Sequence, residues 1–308
     1  GGNCTNLVNG HSATFSGHTG TITNAGSVAN TFGSVAIKNS GGTDVTRNYS
    51  ITKANGTLTV NRVKGATASA ANKTYTGDEL TGVTGKFVTW SGTTKATAIG
   101  DYVAYATPDN NHTWQDTGTT EKRTINWSIT SKALSGLTVS LSATEFTYNG
   151  SSQKPTITVK DGSTVLTEGT HYTVSYPSDT TNSNNEENKT ITINGADVYS
   201  GTITKTYVIK RATGSVTLKS TSGSVSYGTS EAKFTATGTG TLTVSADNST
   251  VTSTISGDTV TIGKLGSLSA GTTIKVTVTA AQSTNYETAS ATYTLTITKA
   301  TNPISVTA

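Results

Sequence analysis

Apolar and polar residues alternate along most of this chain with a period of two, the repeat of a strand that buries one face. Four stretches show it most clearly, each followed by a basic residue: GTLTVNR (56–62), RTINWSITSK (123–132), KTYVIKR (205–211) and YTLTITK (293–299). Alternation places Leu58 with Val60, Ile125 with Trp127 and Ile129, Tyr207 with Ile209, and Leu295 with Ile297, each set on one face. These read as closing strands of successive β-sandwich modules. The chain restarts after three of them as SKALSG, IKRATGS and TKATNP. A tyrosine followed by a turn then recurs as TYTG (74–77), TYNG (147–150) and SYGT (226–229). A core-facing aromatic before a residue that tolerates positive φ is the end of a strand entering a tight turn.

The closing positions Val60, Ile129, Ile209 and Ile297 lie 69, 80 and 88 residues apart, a size that suits small sandwiches. The expected modules are 1–62, 63–132, 133–211 and 212–300, with 301–308 as the first strand of a further one. No Pro/Ser-rich spacer separates them, so an elongated, semi-rigid rod is expected. The first module has no tyrosine turn. In the second, Gly100 follows Tyr75 by 25 residues; Gly26 matches Gly100, which puts the missing turn near residue 1. The first module is therefore expected to lack its opening strand or strands, leaving an unpaired edge open to strand addition. Residues 301–308 of another copy are the expected donor.

The composition fits this pattern. Of 308 residues, 32% are hydrophobic, 13% charged and 32 are glycine, which excludes collagen, coiled coil and a highly charged disordered chain. No apolar run approaches the roughly 20 residues of a membrane-spanning helix, so no membrane insertion is expected. The single cysteine, Cys4, excludes an internal disulfide framework and any multi-cysteine metal site. There is no methionine, so a processed or excised piece is expected. The net charge of +4 is spread over scattered cations, with Lys122-Arg123 and Lys210-Arg211 the densest groups, so no nucleic-acid partner is expected.

Several stretches, LVNGHSATFSG, KTYTGDELTG, VTWSGTTKATAIGDYVAYATP and YNGSSQKPTITVKDGSTVLTEGTHYTVSY among them, resemble bacterial immunoglobulin-like repeats of the MBG, YDG and YGX types. The resemblance covers nearly the whole chain. It implies an all-β fold of tandem immunoglobulin-like β-sandwich modules, an extracellular location on a bacterial surface, and a stalk or adhesin-like role; a phage virion is the alternative location. It brings no catalytic residues.

Candidate chemistry is sparse. His11 and His18 lack acidic neighbours or a second cysteine and make a poor metal site, so solvated polar residues are expected there. No G-x-S-x-G elbow precedes a helix. Glu186 and Glu187 fall in the Asn-rich stretch SDTTNSNNEENK, read as a solvated loop without the ordered acidic spacing of a calcium site. No spacing singles out a lysine, asparagine and acid for an intramolecular isopeptide bond. Neither catalytic, metal nor cofactor residues are therefore expected, and no enzyme. Of the three tryptophans, Trp127 alternates with core residues and Trp90 follows a strand. Trp114, in DNNHTWQD, reads as a loop residue and is the one candidate ligand contact, able to stack on a sugar ring; structural packing is the competing reading. The expected partners are neighbouring modules of the same polypeptide, a host glycan or surface receptor, and self-association by strand exchange.

Overall fold

Strand ladders carry nearly all the regular structure in the computed structural model, which describes residues 2–301 and 305–306. Among the described residues, three single-turn 3-10 helices, Thr46–Asn48, Leu134–Gly136 and Leu265–Ser267, interrupt otherwise all-β regular structure. The expected tail strand over 301–308 lies for the most part outside the described residues. The chain divides into two compact units, Gly1–Lys132 and Ala133–Ala308.

In the second unit, residues 212–300 show why the pattern folds as it does. Strand Glu231–Gly238 turns Ala232, Phe234 and Ala236 inward and its Glu, Lys and Thr residues outward. Strand Thr273–Ala280 buries Ile274, Val276, Val278 and Ala280 in the same way. Those strands belong to two four-stranded sheets whose inner faces share one core, with Ile262, Leu265, Tyr293, Leu295 and Ile297. Burying each such aliphatic side chain contributes about 1.5–3 kcal/mol of gross stabilisation, offset largely by chain entropy. Residues 133–211 repeat the plan with a four-stranded and a three-stranded sheet around Ile157, Val159, Ile191, Ile193, Tyr207 and Ile209.

In the first unit, residues 63–130 also form a four-stranded and a three-stranded sheet, around two smaller clusters. The Trp127 indole lies flat against Gly82: a Cβ there would sit 1.9 Å from the ring, so only glycine admits the approach. Residues 12–60 are thinner. Ser12–Ser16 pairs with Ser34–Lys38, and Gly26–Asn30 with Gly56–Val60, as two separate two-stranded sheets. Among the described residues of this part, Ile37 is the one fully buried hydrophobe.

The sandwiches close in one recurrent way. Strands Arg123–Thr130, Thr202–Lys210 and Ala289–Thr298 each take a short parallel neighbour, at Lys73–Thr74, Glu145–Thr147 and Ser222–Ser226. The tyrosine that follows then donates its backbone N–H to the closing strand: Tyr75 to Thr130 O (2.9 Å), Tyr148 to Lys210 O (2.9 Å) and Tyr227 to Thr298 O (2.8 Å). Strand Gly56–Val60 has no such neighbour among the described residues. Two expectations need correction. Tyr227 is 54% exposed rather than core-facing, and Val60 is 36% exposed. Tyr148 is covered by the Tyr286 ring at 5.3 Å, whereas no ring contact covers Tyr227 among the described residues.

Candidate junction interface

The residue picked out for ligand contact, Trp114, is not on the surface. It is fully buried, packed with Ala66 and Ala106, and its indole N–H donates to Glu121 O at 2.8 Å. The Arg123 guanidinium covers the ring at 4.2 Å, itself held by a bidentate pair with Asp116 (3.0 and 2.7 Å). That pairing holds the Asp116 carboxyl down to about 2. No face of Trp114 is free to stack on a sugar, because the parallel pairing of His112–Trp114 with Val63–Ala70 draws the loop tryptophan under the sheet. Trp127 is core, as its alternation indicates, and donates its indole N–H to Thr93 O (2.8 Å). His11 shares a 2.7 Å hydrogen bond with the Tyr49 hydroxyl, which also accepts from Val8 N (3.2 Å); His18 is exposed.

Polar side chains converge instead where one sandwich hands over to the next inside each unit. In the first unit the hand-over is at Arg62-Val63. Asn111, in the turn after strand Gly100–Pro108, accepts at its backbone carbonyl from Val63 N (3.0 Å). Its side chain reaches back into residues 1–62. Oδ1 accepts from Ala25 N (2.8 Å), and Nδ2 donates to Asn24 Oδ1 (3.0 Å). Arg62 Nε donates to Asn110 O (3.0 Å). The second unit repeats this at Arg211-Ala212. Asn285 O accepts from Ala212 N (2.9 Å), Asn285 Oδ1 from Ser183 N (2.8 Å), and Asn285 Nδ2 donates to Asn182 Oδ1 (2.9 Å). Arg211 Nε donates to Ser283 O (3.0 Å).

Local structure presents these groups. In the first unit the Asp109 carboxylate accepts from Asn111 N (2.9 Å) and from His112 Nδ1 (2.6 Å), and the His112 bond above all lowers its pKa. The stretch read as a solvated loop is in fact built around Asp179. That carboxylate accepts from Thr181 N (2.9 Å), Asn182 N (3.0 Å) and Asn184 Nδ2 (2.9 Å). The backbone donors at Asn182 and Thr181 are the main reason its pKa lies well below the ordinary carboxylate range. Lys189, 5% exposed, donates to Asp179 O (3.0 Å) and lies 3.8 Å from its Oδ2. Asn184, Asn185 and Glu186 all carry positive φ (50°, 59° and 64°), which Asn adopts more readily than Glu. Glu186 is pinned there by its N–H on Ser183 O (3.0 Å) and by Arg211 N on its Oε1 (3.0 Å). Glu186 and Glu187 are exposed as expected, but Thr180, Ser183 and Lys189 beneath them are buried.

The four asparagines were invisible to strand periodicity. Their partners lie 87 and 103 residues away in sequence. The available signal was the pair of short turns DNNH and STNY, each a few residues behind a strand that pairs with the closing strand. An amide meeting a backbone N–H and another amide is recognition chemistry, not proton transfer.

No family model matches this chain, and no curated protein does. Among solved structures it is similar to surface layer protein SbsC, domains 1–6 (14% identity, TM-score 0.27, covering 92% of this chain and 46% of that one). It is also similar to three N-terminal domains of the bacteriophage RB49 highly immunogenic outer capsid protein Hoc (12%, TM-score 0.29, 77% and 100%). A third is the N-terminal eight Ig domains of Down syndrome cell adhesion molecule (10%, TM-score 0.32, 94% and 49%). The chain spans about half the length of the two longer surface layer structures it matches. The all-β, immunoglobulin-like sandwich class is common to them, and these likenesses carry no functional argument. No helix among the described residues is long and apolar enough to cross a membrane.

Proposed function

We propose that the chain is a non-enzymatic, extracellular structural segment of a bacterial surface protein of the immunoglobulin-like repeat type its sequence resembles, spacing or presenting an adhesive region. One observation carries this reading: consecutive sandwiches follow one another without a linker, and each hand-over inside a unit is closed by backbone and amide hydrogen bonds. Such junctions restrict bend, the property a spacer requires. Small-angle scattering tests it. A maximum dimension close to four sandwiches end to end supports the spacer, and a globule well below that length sinks it. A virion fibre or decoration protein would use the same mechanics, and flanking genes separate the two. The glycan-binding alternative loses its candidate residue with the burial of Trp114.

A second reading, strand-exchange self-association, is favoured by the one-sided pairing of Gly56–Val60. A cavity of about 390 Å³ on the other two-stranded sheet of this part is lined by Phe15, Phe32, Val35, Ile37, Tyr49 and Ile51. Removing residues 301–308 is expected to lower the self-association seen by analytical ultracentrifugation; an unchanged sedimentation profile counts against it.

A further inference from the structure

The asparagines that reach back, Asn111 and Asn285, hold matched positions: the carbonyl of each accepts from the opening residue of its own sandwich, Val63 and Ala212. His112 N donates to Asp109 O (3.3 Å), and Tyr199 N donates to Ala196 O (3.1 Å), the same turn bond after the same strand. Val198 therefore stands in residues 133–211 where Asn111 stands in residues 63–132. On the receiving side, Gly26 and Gly100 open equivalent strands with φ of 150° and 153°, so Ala98 stands where Asn24 stands. Neither Ala98 nor Val198 carries an amide. The donor and receiver amides thus occur as matched sets within each unit, Asn24 with Asn111 and Asn182 with Asn285.

We infer that the Asn111 and Asn285 side chains are the recognition elements by which one sandwich reads its predecessor, and that they couple unfolding pairwise: 1–62 with 63–132, and 133–211 with 212–300. The inference does not depend on the spacer reading, since it holds for any protein with this geometry. The chemistry is selective. An asparagine amide offers an acceptor and a donor on one planar group, and both are used, on a backbone N–H and on a second amide. An alanine leaves Ala25 N or the buried Ser183 N without its partner, which is the costly outcome for a shielded donor. Residues 1–62 need such help most, because among their described residues Ile37 is the one fully buried hydrophobe.

All three tryptophans lie in residues 63–132, so their fluorescence reports that sandwich alone. The test uses the full chain and a core lesion outside the reporter, Ile37→Ala. In an otherwise native chain, this substitution is expected to lower the tryptophan-reported thermal midpoint by about 4 °C or more. In the Asn111→Ala background the same lesion should leave that midpoint unmoved. Asn111→Asp should restore the coupling at neutral pH, since its carboxylate accepts from Ala25 N and from Asn24 once that amide turns. The readout stands even where Ile37→Ala unfolds residues 1–62 outright. An unmoved midpoint in the native background overturns the coupling. An equal shift in the Asn111→Ala background overturns the role of the amide, and failure of Asn111→Asp to restore it overturns the hydrogen-bond basis.

Discussion

The hand-overs at Arg62-Val63 and Arg211-Ala212 share their amide contacts and differ in what holds those contacts in place. In the first unit the support lies on the donor side: Asp109 fixes the turn that presents Asn111, with His112 on the same carboxylate. In the second it lies mainly on the receiver side, where Asp179 organises the loop that accepts Asn285 and Arg211 ties that loop to the next sandwich. The donor turn of the second unit is held by the Ser283 hydroxyl, which accepts from Tyr286 N at 3.2 Å. The amide exchange is thus the fixed element, and either partner can carry the ionised group that rigidifies it.

Removing the support of the second unit should give the largest effect. Asp179→Ala strips the acceptor from three donors and the counter-charge from the buried Lys189. We expect a loss of about 2 kcal/mol, less than for a fully buried pair because the carboxylate keeps about a third of its exposure. Asp179→Asn, which keeps an acceptor but not the charge, should cost about half as much. Calorimetry on the full chain measures both, and an Asp179→Ala midpoint equal to the parent's would remove Asp179 from the comparison. The pH dependence has a defined sign. The folded pKa of Asp179 is depressed, so its contribution is present above the ordinary carboxylate pKa and fades as pH falls through the acid range below it. The same holds for Asp109 in the first unit. Side-chain amide signals of Asn111 and Asn285, followed from pH 5 downward, should therefore both broaden in acid, for reasons that lie on opposite partners.

The arginines come next. Arg211, with 12% of its side chain exposed, donates to Ser283 O and to Asn185 Oδ1 (2.8 Å) and lies 3.8 Å from Glu287. Arg62 is exposed and donates once, to Asn110 O. Arg211→Ala should cost about 1–2 kcal/mol, whereas Arg62→Ala should stay within about 0.5 kcal/mol. Equal losses in urea titrations of the two variants would mean that the arginines serve both hand-overs alike, and the contrast between supports would fail.

Strand alternation made the fold class and much of the core readable from the chain: Trp127, Tyr207, Ile209, Leu295 and Ile297 are buried where the period of two places them. It failed at the ends of the sandwiches. Val60 and Tyr227 have the right parity but remain exposed, because burial there depends on what the next element covers, as Tyr286 covers Tyr148. Trp114 failed in the other direction. Polar neighbours suggested a loop, and a non-local parallel pairing together with the Arg123 stack buried it. The junction amides left no periodic trace, since a hydrogen bond between asparagines 87 or 103 residues apart imposes no local pattern. The loop around Asp179 looked solvated because its composition is polar, yet its polar groups are spent on one another.

The smallest effect asks whether that loop draws on the core beneath it. Tyr207, 1% exposed, has a hydroxyl with no hydrogen-bond partner among the described residues. Burial, with Tyr176 and then Asp179 nearby, raises its pKa. Trp127 in the first unit has the opposite status, its indole N–H being satisfied by Thr93 O. An unpaired buried hydroxyl is a cost without a return, so Tyr207→Phe should be neutral or stabilising by up to about 1 kcal/mol, and should leave the acid transition of the second unit unchanged. If Asp179 and Lys189 anchor the loop by themselves, both results follow, since neither of their contacts involves the phenol. A loss of more than about 1 kcal/mol in Tyr207→Phe, or an acid transition moved toward neutral pH, would mean that the phenol is bound to the carboxylate in solution. The receiver-side support of the second unit would then reach into its core, which the donor-side support of the first does not.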